Sequence, residues 1–376
     1  MQTRNKSWRR YLAATLLLIA SGNAFPQSLS VDSVIERFIE ASGGRDRVAA
    51  IDNLVYTGGT YVEGDFQTDG TATMSRARPW FKLVGDKNDP GSFMEGYDGS
   101  AWEWYENPGV VIRTVAAASA AGRHYAGVDH PLVDYRARGS TASLLGTTEL
   151  DGRPVYVVRL TRRDGFVEQF YIDEDTFLIN ASGASAPIHA FGKAVEQITR
   201  IADYREVGGV LLPHRFESAE LPSGNTLSSM QWGKISANQR LPEDWFSPPR
   251  YERTPLQQLI ENLYRQRSDV EAMLWTYEEF TRAWPDVDTS EAVNFAGFQV
   301  LKMGQTEAAL TLLLRNVVAY PSSASARFEL GTAYESAGNI NAARAAYLAA
   351  LEIDAEFAQA ERALASLDAA ASAAER

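Results

Sequence analysis

Residues 194–220 read AVEQITRIADYREVGGVLLPHRFESAE, two runs rich in Ile, Val, Thr, Tyr and Phe joined by Gly208-Gly209. β-branched and aromatic residues favour extended backbone, and paired glycines accept the positive φ of a tight turn between antiparallel strands. The stretch predicts a hairpin of strands Ala194–Glu206 and Val210–Glu220. Pro222-Ser-Gly-Asn225 then turns the chain into a third strand, Thr226–Ile235. Working towards the N-terminus, Arg162-Arg163-Asp164-Gly165 separates strands Arg153–Thr161 and Phe166–Asp173, with Phe177–Asn180 after them. Asn53–Glu63, Phe66–Arg76, Trp80–Val84 and Ala101–Tyr105 have the same composition, with Asp69-Gly70 a turn or bulge and Asp98-Gly99 a turn. Neighbouring strands with tight turns predict a curved antiparallel sheet.

A few helices interrupt it. Val31, Val34, Ile35, Phe38 and Ile39 make one apolar stripe over Val31–Ala41, and Gly43-Gly44 ends that helix. The Ala-rich stretch Val115–Arg138, broken at Pro131, reads as one or two short helices. Strands with a few covering helices give the class α+β. The seam Leu241-Pro-Glu-Asp-Trp-Phe-Ser-Pro-Pro-Arg250 carries three prolines, which continue neither a helix nor a central strand, and marks a domain boundary.

Beyond the seam the grammar becomes helical and repeats. An offset of 34 pairs Gly297 with Gly331, Gly304 with Gly338, Ala309 with Ala343 and Leu313 with Tyr347. Leu330-Gly-Thr-Ala-Tyr334, then Ala343, Tyr347 and Ala350, sit where a tetratricopeptide repeat places its small and large residues. Pro321 takes the repeat-ending position, whereas Ala355 and Arg327 depart from the usual Pro and Trp. Glu271–Pro285 echoes Glu307–Pro321 as a degenerate earlier unit, and Glu356–Leu367 reads as a capping helix. The predicted layout is a sheet domain over 29–248 and an all-α tetratricopeptide-repeat solenoid over 255–367.

The first residues carry an address. Arg4, Lys6, Arg9 and Arg10 precede the apolar run Tyr11–Ala20 and the small residues Gly22 and Ala24. That is the pattern of a secretory leader, residues 1–24, with cleavage after Ala24. The run is about half the roughly 20 residues a helix needs to span a bilayer, so no stable membrane span is expected. There is no cysteine, which excludes a lipidated N-terminal cysteine and a disulfide framework. With 36 basic against 48 acidic residues the net charge is −12, and four of the basic residues belong to the leader. That balance argues against nucleic acid and against adsorption to anionic headgroups. Leader, acidity and lack of cysteine together predict a Gram-negative periplasm.

Several ordered phrases resemble a known family. Glu40-Ala-Ser-Gly-Gly44, Gly96-Tyr-Asp-Gly99 before Trp102, Leu150-Asp-Gly-Arg-Pro-Val-Tyr-Val-Val158, Tyr171-Ile-Asp173 and Asp203–Pro213 are similar to periplasmic proteins related to outer-membrane lipoprotein carriers. The resemblance covers roughly residues 29–248. It implies an open half-barrel with helices over its concave side and, between them, an apolar cavity that in that family shelters acyl chains. Independently, Trp102 and Trp104 share one strand face, Tyr156, Val158 and Leu160 another, and Phe170 and Ile172 a third. These seven residues fit the wall of a cavity for a lipid-like ligand, and equally the inside of a filled core.

Standard catalytic signatures do not occur. His124 and His130 stand six apart near Asp129 and Asp134, a spacing that does not stack two ligands on one helix face. His214 follows Pro213 on a strand, and Ser182-Gly-Ala-Ser185 reads as a flexible connection. No G-x-S-x-G elbow and no phosphate loop is present, and Asp98-Gly-Ser100 lies in a turn without a matching second site. No metal or cofactor is expected. The leading expectation is a periplasmic binding protein whose sheet holds an apolar or acyl-chain ligand while the repeats dock a partner protein or peptide. The alternative is a non-catalytic scaffold of an envelope assembly with a filled sheet core, and a third class is a hydrolase with an unrecognised site.

Overall fold

The computed structural model describes residues 29–63, 68–77, 80–85, 93–113, 123–124, 126–187 and 194–374. The leader read in residues 1–24, and residues 115–122 and 125 of the Ala-rich stretch, lie outside the described residues. The chain forms two compact units: Met1–Gly85 with Tyr125–Ala186 and Ala194–Glu243, and Asp86–His124 with Pro187–Lys193 and Asp244–Arg376.

The first unit is an antiparallel sheet with a helix against it. Its strands are β1 Asn53–Glu63, β2 Thr68–Ala77 and β3 Phe81–Gly85, then β7 Thr141–Leu150, β8 Arg153–Thr161, β9 Val167–Asp173, β10 Ile179–Pro187, β11 Ala194–Val207, β12 Val210–Glu220, β13 Thr226–Gln231 and β14 Lys234–Ala237. They run in the order β3-β2-β1-β13-β12-β11-β10-β9-β8-β7, with β14 beside β1, and the path does not close into a barrel. Register shifts at Tyr56/Gly59, Leu144/Gly146, Ile179/Ala181 and Ser218/Ala219 bend the strands as β-bulges do.

Helix α1, Val31–Ala41, starts where Ser30 Oγ accepts the Ser33 amide at 3.1 Å. It buries Val34, Ile35, Phe38 and Ile39, the stripe seen in the sequence. The Leu211 amide donates to the Ser42 carbonyl at 2.8 Å, tying the end of α1 to β12, and Gly43 (φ +124) presses against the Gly209 carbonyl. A short helix, α2 Arg45–Ala49, follows.

Some expectations change in detail. Ser182-Gly-Ala-Ser185 is not a loop. It lies in β10, with Ser182 opposite Phe170 and Gly183 opposite Gln169. A Cβ on Gly183 would stand 3.6 Å from the Gln197 carbonyl and 3.8 Å from Tyr171, ordinary contacts, so the small residues there are compatible with a paired strand. The single strand Thr226–Ile235 breaks at Trp232-Gly233 into β13 and β14, both paired to β1 on either side of its bulge at Gly58-Gly59. Strand β7 carries Thr141, Ser143, Gly146, Thr147 and Thr148, too polar to stand out as a strand.

The second unit joins three strands to paired helices. Strands β4 Phe93–Tyr97, β5 Ala101–Tyr105 and β6 Val111–Arg113 are antiparallel neighbours in that order. The helices are α3 Pro255–Arg265, α4 Val270–Ala283, α5 Ser290–Lys302, α6 Thr306–Ala319, α7 Ala324–Ser336, α8 Ile340–Ile353 and α9 Ala358–Ala374. They pair as α3/α4, α5/α6 and α7/α8, and α9 packs on α8. Helix α3 opens with a capping box: the Gln257 amide donates to Thr254 Oγ1, and the Thr254 amide to Gln257 Oε1, with Pro255 in the first turn. Val110 and Ile112 are buried in one core with Leu259, Ile260, Leu263 and Val293, so the strands and the first helices share an interior.

Candidate binding surfaces

Five of the seven predicted wall residues come together in the first unit. Strand register sets Val158 opposite Phe170 and Tyr156 opposite Ile172. Val158, Leu160 and Ile172 are 0 % exposed and Phe170 is 3 %. What covers them is α1, through Val34, Ile35, Phe38 and Ile39, together with Leu132, Val133 and Tyr135. The His130 ring stands edge-on between Phe38 and Phe170, at centroid distances of 4.9 and 5.0 Å. Tyr156 is half-buried and stacks on Phe177 at 5.8 Å, with the Arg37 guanidinium 5.1 Å from the Phe177 centroid.

Polar ties hold α1 in this position. The Asp32 carboxylate accepts from the Tyr135 hydroxyl at 2.7 Å and from both Nη atoms of Arg136 at 2.5 and 2.8 Å. Arg136 first, and then Tyr135, hold the Asp32 carboxyl below its usual range. Tyr135 moves the opposite way, to about 12, through burial and then through the charge of Asp32. Arg45 donates to Glu36 at 2.6 Å and to Asp134, bracing the other end.

Trp102 and Trp104 lie in the second unit. Trp102 is 0 % exposed, and its indole N–H donates to the Phe246 carbonyl at 3.1 Å. Trp104 is half-buried. On the opposite face of β5 the buried Glu103 accepts from the Tyr105 hydroxyl at 2.6 Å. Burial and then that carboxylate push the Tyr105 phenol well above its ordinary pKa. The Tyr105 ring meets Phe295 of α5 edge-on at 5.5 Å.

The helical pairs show two different faces. The first helices of the first two pairs, α3 and α5, carry the strands: Gln257 Nε2 donates to the Pro108 carbonyl at 3.0 Å, and the Tyr264 hydroxyl to the Arg113 carbonyl at 3.2 Å. The second helices, α4, α6 and α8, present apolar side chains to solvent. Trp275 is 62 % exposed, Val318 74 % and Leu348 48 %. Leu314 and Leu348 are both exposed and stand 34 residues apart, the same position in successive repeats.

The remaining polar candidates have structural partners. His214 is buried with Nδ1 3.0 Å from the Leu212 carbonyl. Asp98 accepts two hydrogen bonds from Arg113, at 2.7 and 2.8 Å. Burial opposes its ionisation, and Arg113 outweighs that to leave the pKa lowered. Among the described residues no three His, Asp or Glu side chains gather as a metal site, and no helix is long and apolar enough to cross a membrane.

No family model and no curated protein matches the chain. Solved structures do, in two groups. A DUF1329 family protein from Desulfovibrio piger is similar over 58 % of this chain and 98 % of its own, at 12 % identity and a TM-score of 0.41. A LolA superfamily protein from Nitrosomonas europaea is similar over 59 % of this chain and 99 % of its own, at 11 % identity and a TM-score of 0.41. The first TPR domain of the human RPAP3 protein covers 32 % of this chain with 98 % of its own length, at 17 % identity and a TM-score of 0.26.

Proposed function

We propose that the protein is a non-catalytic docking protein of a bacterial envelope, in which the sheet unit is a filled structural module and the repeats bind a partner protein through their second helices. The observation that carries this reading is the set of exposed apolar side chains on α4, α6 and α8, Trp275, Leu314, Val318 and Leu348 among them, with Leu314 and Leu348 at the same position of successive repeats. A large apolar side chain left exposed at the same position of successive repeats suits the apolar surface of a partner. The periplasmic address rests on the leader pattern of residues 1–24.

The alternative, an acyl chain held between sheet and α1, requires α1 to leave its seat. Val34, Ile35, Phe38 and Ile39 are each at most 5 % exposed. Uncovering four such side chains costs about 6–12 kcal/mol before any ligand contact offsets it. The test has two arms. Native mass spectrometry of the mature protein from its own cells, followed by organic extraction, yields no acyl species if the core is filled; a stoichiometric lipid overturns that half of the reading. A photo-crosslinker placed at Val318 in the same cells gives a discrete adduct, lost when Leu314 and Leu348 are changed to Glu. An adduct unaffected by those changes, or none at all, overturns the docking half.

A further inference from the structure

The second unit holds a cleft of about 780 Å³ whose lining is strongly basic. One wall is strand β6, Val111–Arg113. Pro248, Pro249 and Arg250 form another, and the end of α3, with Arg265 and Arg267, completes it. Five arginines line the cleft, Arg113, Arg250, Arg253, Arg265 and Arg267, against a single carboxylate, Glu261. This stands out in a chain with a net charge of −12.

Two of the five charges are already met. Arg113 makes its paired hydrogen bonds to Asp98. Arg253 pairs with Glu261 at 3.1 Å, and Glu261 also accepts from the Tyr251 hydroxyl at 2.7 Å. The other three have no carboxylate partner among the described residues. Arg265 donates to the Asn262 side-chain oxygen at 3.1 Å. Arg267 donates to the Tyr264 carbonyl at 2.8 Å and lies over the Tyr264 ring at 4.5 Å. Arg250 is exposed at the rim. Like charges brought round one opening repel, and an anion between them reverses the sign of each term.

The cleft's chemistry selects among anions. An added peptide strand needs the free backbone edge of β6, but that edge is engaged: the Val111 amide donates to the Tyr251 hydroxyl at 2.9 Å, and the Arg113 carbonyl accepts from Tyr264. A single carboxylate leaves two guanidinium groups unmet. A phosphate monoester carries close to two negative charges at neutral pH and offers three acceptor oxygens to arginine forks. The volume exceeds what a bare phosphate fills, and Val111, Pro248 and Pro249 supply apolar surface for the rest of the molecule.

We propose that this cleft is an anion site, gripped by Arg250, Arg265 and Arg267, for a phosphate group carried on a small organic body. The same chemistry is offered by a soluble phosphorylated metabolite and by a lipid whose headgroup is itself a phosphate monoester, as in phosphatidic acid. The site is independent of what the apolar core or the outer helices bind.

The test uses the full mature chain at low ionic strength. Pyrophosphate and glycerol 3-phosphate are titrated calorimetrically, and vesicles of pure phosphatidylcholine or of phosphatidylcholine with phosphatidic acid are cosedimented. Arg250→Ala/Arg265→Ala removes exposed side chains and leaves the fold intact. The control is Arg282→Ala/Arg362→Ala, exposed arginines that do not line the cleft. The proposal expects saturable binding of a soluble phosphate, or of the phosphatidic acid vesicles alone, weakened at least about tenfold by the cleft pair and little changed by the control. Soluble binding identifies a metabolite as the source, and vesicle binding without it a headgroup. No binding to any probe, or equal loss in both double variants, overturns the site.

Discussion

The ring of Tyr347 lies directly against Gly331: a Cβ on that glycine would come within 2.5 Å of Cε1 and 2.6 Å of Cδ1. One repeat earlier, Gly297 has the same relation to Leu313, with Cδ2 at 2.6 Å. Helix propensity alone makes Gly331→Ala stabilising by about 1 kcal/mol, and overpacking makes it destabilising by about 1–3 kcal/mol. The close approach predicts that overpacking wins. Thermal unfolding should show a lower midpoint for Gly331→Ala, and a smaller drop when the same change is made in a Tyr347→Ala background. A raised midpoint in the single variant would contradict the packing.

His130 predicts a loss of stability on mild acidification. Burial, then Arg162 and Arg138, lowers its pKa to about 3, and the ring accepts the Leu132 amide at Nδ1. The unfolded chain binds a proton at its ordinary pKa near 6.5, and the folded one does not until about 3. Between those values the unfolded state holds more protons, so stability rises with pH. Going from pH 7 to pH 5 removes about 1–2 kcal/mol. Urea midpoints at the two pH values check this, and His130→Gln should shrink the difference while wild type keeps it.

Asp173 acts in a lower window. Its buried carboxylate accepts from the Thr176 amide at 2.9 Å, the Asp175 amide at 3.1 Å and Asn180 Nδ2 at 3.1 Å. Burial opposes ionisation, but these donors outweigh it and the pKa falls. Its contribution is present at neutral pH and is lost as pH drops through the lowered value, below about 4. Asp173→Ala should cost about 2–3 kcal/mol at pH 7, since it orphans the turn amides. Equal denaturant midpoints for variant and wild type would refute this.

Trp102 and Trp104 should separate cleanly. Trp102→Phe leaves the half-buried Phe246 carbonyl without its indole donor and shrinks a fully buried ring, and should destabilise by about 1–3 kcal/mol. Trp104→Phe, at a half-buried position, should stay within about 0.5 kcal/mol. Thermal denaturation of both variants distinguishes them, and equal effects would argue against a structural role for the Trp102 N–H.

What the sequence showed, it showed through local periodicity. The stripe Val34, Ile35, Phe38 and Ile39 announced α1, Gly208-Gly209 its hairpin, and the 34-residue offset of Gly297 and Gly331 the repeats. Strand β6 is three residues long, too short for a pattern, and its place beside α3 depends on contacts between Val110, Ile112 and Leu259 across some 150 residues. The small residues of Ser182–Ser185 gave a loop signal where the chain pairs with β9 as a strand, a long-range pairing that local composition does not carry. The basic cleft was invisible for a similar reason. Its arginines come from positions 113, 250, 253, 265 and 267, and an acidic total charge hid them. Trp102 and Trp104 have the right alternation for a wall shared with Tyr156 and Phe170, but alternation says nothing about which unit a strand joins.

The strands resting on α3 and α5 also give the repeat array a direction. Stability in a stacked array is close to a sum of each repeat's own term and its contacts with neighbours, so units can usually be gained or lost at either end. Here the α3/α4 end is anchored to non-repeat structure through Gln257, Tyr264 and the shared core, while α8 packs on α7 and α9. The array thus has a fixed end and a growing end: duplication of a repeat between α8 and α9 would lengthen it without disturbing the anchor.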